Sequence, residues 1–132
     1  MKNKDKYFID MAILTSKQSY SKRNKVGAIL EKDGRVLITG YNGTLPGDTN
    51  ICEIKDITKD NVVHAEQNVI SFAAKYGIAT KDCALYVTLS PCVLCAKMII
   101  QAGITEVIYK EDYRDISGLQ LLRDNNILVR KY

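Results

Sequence analysis

Two short stretches of this chain carry the residues best suited to chemistry. Val63-His64-Ala65-Glu66 holds the only histidine of the sequence, with a carboxylate two residues on, and Pro91-Cys92-Val93-Leu94-Cys95 holds two thiols three residues apart. Two thiolates and one imidazole fill three corners of a tetrahedral zinc site. The fourth corner is then open to water, as at a catalytic rather than a structural ion. Two anionic ligands nearly neutralise the ion, so water there is acidified less than by an all-histidine set, and a base must stand close by. Glu66 is the candidate: outside the ligand set, it can take the proton and pass it to a substrate ring and then to a departing amine.

These residues need helix ends to bring them together. The pattern predicts one helix over Asn61 to Tyr76, capped at Asn61 or Val62 and stopped by Gly77. A second runs from about Cys92 to Ala102, opened by Pro91 and closed by Gly103. Residues two apart on a helix point some 200° from each other, at about 3.6 residues per turn. His64 and Glu66 therefore serve one ion only if it sits over the helix end, where first-turn side chains converge. Cys92 and Cys95 share a face. The partial positive charge of a helix N-terminus lowers thiol pKa values and favours thiolates. Taken singly, the glutamate could be a cap, the histidine a satisfied polar group and the Cys-x-x-Cys a redox pair. That all of them fall at predicted helix starts favours one reaction centre over those separate roles.

The rest of the chain reads as the frame. Its 132 residues suit a single domain, 1–132, with its own core. No apolar run approaches the roughly 20 residues that span a bilayer, and Met1 to Lys6 lacks the apolar core of a signal peptide. The expected location is the reducing cytoplasm, where cysteines bind metal more often than they pair. A net charge of +4 without any lysine/arginine block points to neither nucleic acid nor membrane as a partner. Cys83 is expected to pack as a small hydrophobe, while Cys52 lies in a polar connection beside Glu53.

In chain order, a helix is expected over Asp5–Ser19, then a polar segment to Lys25. A strand at Val26–Leu30, an Asp33-Gly34 turn and a strand at Val36–Tyr41 form a hairpin. Turn formers fill Asn42–Asp48, and Thr49–Asn61 reads as a surface connection. Strands at Ala84–Leu89, Glu106–Tyr109 and Ile127–Val129 alternate with the Cys92 helix and a helix at Ser117–Asp124, after a loop at Lys110–Asp115. This order predicts an α/β fold, a three-layer α-β-α sandwich on a five-stranded mixed sheet. Its last two strands can lie parallel because a helix crosses between them.

His-x-Glu followed by Pro-Cys-x-x-Cys is the signature of zinc-dependent nucleobase deaminases. The chain resembles the cytidine deaminase superfamily over nearly its whole length. Within it, Val26-Gly27-Ala28-Ile29, Gly40-Tyr41-Asn42-Gly43-Thr44, His64-Ala65-Glu66 and Thr88-Leu89-Ser90-Pro91-Cys92 resemble the deoxycytidylate (dCMP) deaminases, in their compact form. The resemblance implies hydrolysis of dCMP to dUMP and ammonia, supplying thymidylate synthesis. It makes His64, Cys92 and Cys95 the ligands of one catalytic Zn²⁺ and Glu66 the proton shuttle. Asn42 would hold the deoxyribose hydroxyl, Ala65 would offer its N–H to the pyrimidine carbonyl, and the Ser90 carbonyl would receive the amine. The water would attack C4 of the ring. For the phosphate, Arg23 and Arg114 are the candidate cations, with Ser19, Ser21 and Lys25 assisting and Tyr113 stacking on the base or sugar.

The resemblance further implies a homo-oligomer, commonly a hexamer, activated by dCTP and inhibited by dTTP. Mg²⁺ would accompany such a triphosphate effector. Asn50, Cys52 and Glu53 resemble part of the effector site, but Leu45 between Thr44 and Pro46 departs from the usual pattern there. With no second histidine, the extra structural zinc of some relatives is not expected. Other readings stay open: a tRNA adenosine deaminase, although no basic face for RNA is evident; a dCTP or CMP deaminase; a free-nucleoside cytidine deaminase; or a zinc-bound scaffold without catalysis.

Overall fold

Strands that alternate in which side chains they bury form the centre of the molecule. A computed structural model describes all 132 residues. The elements in order are α1 (Lys4–Ser16), β1 (Gly27–Lys32), β2 (Arg35–Tyr41), β3 (Gly43–Thr44), β4 (Glu53–Ile54), β5 (Ile57–Thr58) and β6 (Val62–Val63). They continue with α2 (Ala65–Tyr76), β7 (Ala84–Leu89), α3 (Val93–Gln101), β8 (Glu106–Glu111), α4 (Ser117–Asp124) and β9 (Leu128–Lys131). The main sheet has five strands in the order β2-β1-β7-β8-β9. β1 runs antiparallel to β2 and β7, whereas β7, β8 and β9 are mutually parallel. The helices α3 and α4 make the two crossovers that parallel neighbours require.

Ile29, Ala84, Tyr86 and Ile108 face α1, where they pack with Phe8, Ile9 and Ala12. Their neighbours Ala28, Leu30, Leu85, Val87 and Val107 face the other way, against Val69 and Ala73 of α2, Ile99 of α3, and Leu119 and Leu122 of α4. Burial on both faces is why β1 and β7 read as continuous apolar runs rather than alternating ones. The result is the expected α-β-α sandwich. Cys83 is buried in the larger cluster, among hydrocarbon side chains.

β1, β8 and β9 each run two residues past their expected ends, at Lys32, Glu111 and Lys131, and three further differences from the sequence reading have a clear local cause. α2 starts at Ala65, not Asn61, because Val62 and Val63 pair with Thr44 and Gly43 as a short antiparallel ladder. β-Branched residues lose side-chain freedom in a helix and fit an extended backbone better. The stretch 49–61 is not a featureless connection. It contains a hairpin, β4–β5, turned by Lys55 and Asp56, both with positive φ (49° and 62°). Such two-residue turns are usually announced by Asn-Gly or Asp-Gly, and Lys-Asp carries no such signal. α1 ends at Ser16, three residues earlier than expected, where the serine and threonine hydroxyls bond back to carbonyls of the last turn.

Candidate active site

His64 is itself the cap of α2, with extended φ and ψ of −70° and 156°. Its backbone N–H donates to Gln67 Oε1 at 2.8 Å, half of a capping box that fixes where the helix begins. Cys92 caps α3 in the same way, with φ −72° and ψ 171°, and Cys95 sits one turn on. Two helix N-termini thus face each other, and both direct their partial positive charge at the same point. The tight approach of α4 holds Cys92 there, with Gly118 against the Pro91 and Cys92 backbone.

The three donors converge. His64 Nδ1 lies 3.3 Å from Cys95 Sγ and 3.6 Å from Cys92 Sγ, and the ligand atoms of all three lie within 4.8 Å of one another. A tetrahedral ion at about 2.3 Å from sulfur and 2.0–2.1 Å from nitrogen would put sulfur and nitrogen roughly 3.6 Å apart. The donor set therefore fits zinc in both chemistry and spacing. Without a metal, hydrogen bonds from Cys95 and His64 draw the Cys92 thiol down to about 4. Donating its proton to the Cys92 thiolate, together with burial, pushes Cys95 up. The hydrogen bond with Cys92 raises His64. One negative charge is already stable at this point, and a cation would release the remaining thiol proton.

Glu66 stands outside the converging group and is only 4% exposed. Burial is the main cause that pushes its carboxyl up to about 7, partly offset by a hydrogen bond from its own backbone and by the His64 charge. A carboxyl with that pKa exchanges protons readily at neutral pH.

His64, Cys92 and Glu66 line a cavity of about 200 Å³, while Cys95 is fully buried and does not reach it. Of the sequence candidates, Arg23, Asn42, Ala65, Ser90 and Tyr113 also line it, with Ser21. Arg114 does not; its guanidinium lies 5.6 Å from the centre of the Tyr113 ring. Nor do Ser19 and Lys25, which shape the segment beneath. The Ser19 hydroxyl donates to Asn42 O at 2.7 Å, and the Lys25 ammonium donates to Ser19 O and Ser21 O at 2.7 and 2.8 Å. That ammonium is engaged with carbonyls rather than offered to a ligand.

The Asn42 side chain is oriented without ambiguity. Its Oδ1 accepts from Val26 N at 2.9 Å and its Nδ2 donates to Asn24 O at 2.7 Å. One amide hydrogen and one lone pair remain for a ligand. Ser90, buried, accepts a 2.7 Å bond from Tyr113 N on its hydroxyl, which leaves its carbonyl free of that task. Arg23, exposed, bonds only the Thr58 hydroxyl with its guanidinium, at 3.3 Å, and has no carboxylate partner.

Asn50 and Cys52 border a separate groove of about 490 Å³ beside the Gly40–Thr44 strand end, together with Tyr41 and Leu45. Glu53 does not border it, and its carboxylate turns to the Ser21 hydroxyl and the Lys22 and Arg23 backbone. Sequence reasoning missed Thr58 and Val62, which line the cavity, and Gln67. Gln67 follows its cap by three residues, a usable signal once the cap is placed at His64.

Known proteins resemble this chain in sequence and fold. The family described as the cytidine and deoxycytidylate deaminase zinc-binding region matches residues 2–111. The deoxycytidylate deaminase of Enterobacteria phage T4 is 32% identical over 80% of this chain and 76% of its own length. ComE operon protein 2 of Bacillus subtilis is 38% identical over 83% of this chain, which spans only 60% of that protein. A crystal structure of the dCMP deaminase of cyanophage S-TIM5, in complex with dCMP and dUMP, superposes with a TM-score of 0.96. It is 41% identical and covers 100% of this chain and 99% of the phage chain. The chain belongs to the cytidine and deoxycytidylate deaminase family.

Proposed function

We propose that this chain is a zinc-dependent dCMP deaminase, converting dCMP and water to dUMP and ammonia. The carrying observation is one cavity that runs from the His64–Cys92–Cys95 cluster and buried Glu66 to an exposed, unpaired Arg23. A neutral pyrimidine suits the buried end and a phosphate the cationic one. The phage enzyme's full-length match supports the same substrate.

Zinc held by His64, Cys92 and Cys95 would supply Lewis-acid activation of the attacking water. Glu66 takes one proton from the attacking water and returns it to the pyrimidine ring nitrogen, then takes the second from the hydroxyl added at C4 and delivers it to the leaving amine. The Ala65 N–H, at the first position of a helix where no intrahelical acceptor exists, holds the pyrimidine carbonyl. The Ser90 carbonyl accepts from the amine, and the spare Asn42 amide hydrogen bonds the deoxyribose hydroxyl. Tyr113 covers the base or sugar. Arg23 binds the phosphate, and Arg114 steadies Tyr113 rather than reaching the ligand.

Regulation by dCTP and dTTP, with Mg²⁺ on the triphosphate, belongs in the Asn50–Cys52 groove. In support, that groove shares a single lining residue, Asn42, with the substrate cavity. A hexamer and a cytoplasmic location are part of the same reading. Velocity that stays flat against dTTP concentration removes the regulatory part.

The main test is ammonia release measured across dCMP, CMP, dCTP, deoxycytidine and a tRNA anticodon stem-loop, with Glu66→Ala as the inactive control. Preference for dCMP is expected. Equal turnover of deoxycytidine, or turnover of the RNA alone, rules the reading out.

A further inference from the structure

Glu53 lies in a stretch with no evident role in the reaction, yet its carboxylate has a specific task. Oε2 accepts three hydrogen bonds from one turn: Ser21 Oγ at 2.9 Å, Lys22 N at 2.9 Å and Arg23 N at 3.0 Å. These bonds hold its pKa below the ordinary value, the Arg23 N–H contributing most. From the same hairpin, Thr58 Oγ1 accepts from Arg23 Nη1 at 3.3 Å. Arg23 is therefore gripped at both ends by one small element, backbone by β4 and guanidinium by β5. The hairpin is stiff: Glu53 pairs with Thr58, Lys59 N bonds Cys52 O at 2.8 Å, and Cys52 is buried at its base.

We infer that Glu53 is a positioning residue that presents Arg23 to the phosphate of the substrate, so that the 52–59 hairpin sets the preference for nucleotide over nucleoside. This rests on the reading of Arg23 as the phosphate ligand. An arginine on an unsupported exposed turn loses backbone and side-chain freedom when it binds an anion, whereas one fixed in advance has already lost it. Simple electrostatics predicts the opposite effect. Glu53 is an anion near the phosphate end, so removing its charge should help a phosphorylated substrate bind. The sign of the effect separates the two roles.

The experiment compares KM and kcat for dCMP and for deoxycytidine in Glu53→Ala, Glu53→Gln, Thr58→Val, Arg23→Ala and the Glu53→Ala/Arg23→Ala double variant. Glu53→Ala should raise KM for dCMP about tenfold, the scale of one hydrogen bond to a charged group. KM for deoxycytidine and both kcat values should stay within about twofold, a change below the worth of any whole hydrogen bond. Glu53→Gln, which keeps one acceptor oxygen, should fall between. Thr58→Val, which keeps the shape and removes the guanidinium's acceptor, should move dCMP in the same direction. Adding Glu53→Ala to Arg23→Ala should change nothing further, because the residue acts through Arg23.

An unchanged or lower KM for dCMP in both Glu53 variants, with Arg23→Ala raising KM for dCMP far more than for deoxycytidine, overturns the inference and leaves the phosphate assignment standing. Arg23→Ala acting equally on both substrates overturns both. A thermal melt of each variant identifies any that fails to fold. If Glu53→Ala is one of these, Glu53→Gln and Thr58→Val decide the matter.

Discussion

Gly118, near the start of α4, packs directly on the backbone that leads into Cys92 and leaves no room for a side chain. A β-carbon on Gly118 would stand 2.1 Å from the Pro91 carbonyl oxygen, 2.8 Å from the Cys92 carbonyl carbon and 3.0 Å from the Cys92 carbonyl oxygen. That oxygen is committed to Ala96 N at 2.8 Å in the first turn of α3, so the cap has little freedom to retreat. Helix propensity alone favours Gly118→Ala by about 1 kcal/mol. The clash should outweigh it, at about 1–3 kcal/mol for an overpacked contact. The expected outcome is a lower melting temperature and zinc lost to a competing chelator at roughly tenfold lower chelator concentration, as when outer support of a ligand is disturbed. A stabilised variant with unchanged zinc retention would show that α4 plays no part in holding Cys92.

The Ser90 hydroxyl ties the loop carrying Tyr113 to the end of β7, through its 2.7 Å bond from Tyr113 N. Ser90→Ala keeps the carbonyl proposed to receive the amine and deletes only this tether. Losing one such bond should cost about 1 kcal/mol. Amide exchange should quicken at residues 112–115 ahead of the core, and KM for dCMP should rise a few-fold. Exchange in that loop indistinguishable from wild type would mean that other contacts fix Tyr113.

The convergence of His64, Cys92 and Cys95 was legible because their types are rare in this chain and their spacings are short. One histidine and one Cys-x-x-Cys leave few ways to build a site. The sheet was legible from β1 and β7, whose apolar runs demand cover on both faces. Partners set by tertiary contact were not legible. Lys25 reads like a phosphate cation but is consumed by two carbonyls. Arg114 reads like another and lies outside the cavity. Glu53 reads as part of a polar connection, and its partners are some 30 residues away in sequence, at Ser21 to Arg23. The start of α2 was misplaced for a local reason: Asn61 is a better cap by type than His64, and the ladder that excludes it depends on Gly43 and Thr44.

Glu66 allows a test that separates catalysis from metal binding. Glu66→Gln should lower kcat by about 10²–10⁴, the usual contribution of a positioned acid or base. Zinc per chain should not change, because the carboxylate is not among the three converging donors. In chelator-treated, reduced protein the same substitution should alter how stability depends on pH. Burial raises the folded carboxyl from 4.5 to about 7. Between those values the folded chain holds a proton that the unfolded chain has released. Stability contributed at this position is therefore complete below pH 4.5, falls as pH rises through the window, and levels off above about 7. The glutamine side chain does not titrate. Urea unfolding of both proteins from pH 4 to 8 should show wild type losing ground to the variant across that interval and holding a constant deficit beyond it. A difference that does not vary with pH would mean that the carboxylate keeps its charge in the folded protein, and with it the proton affinity that a shuttle requires would be lost.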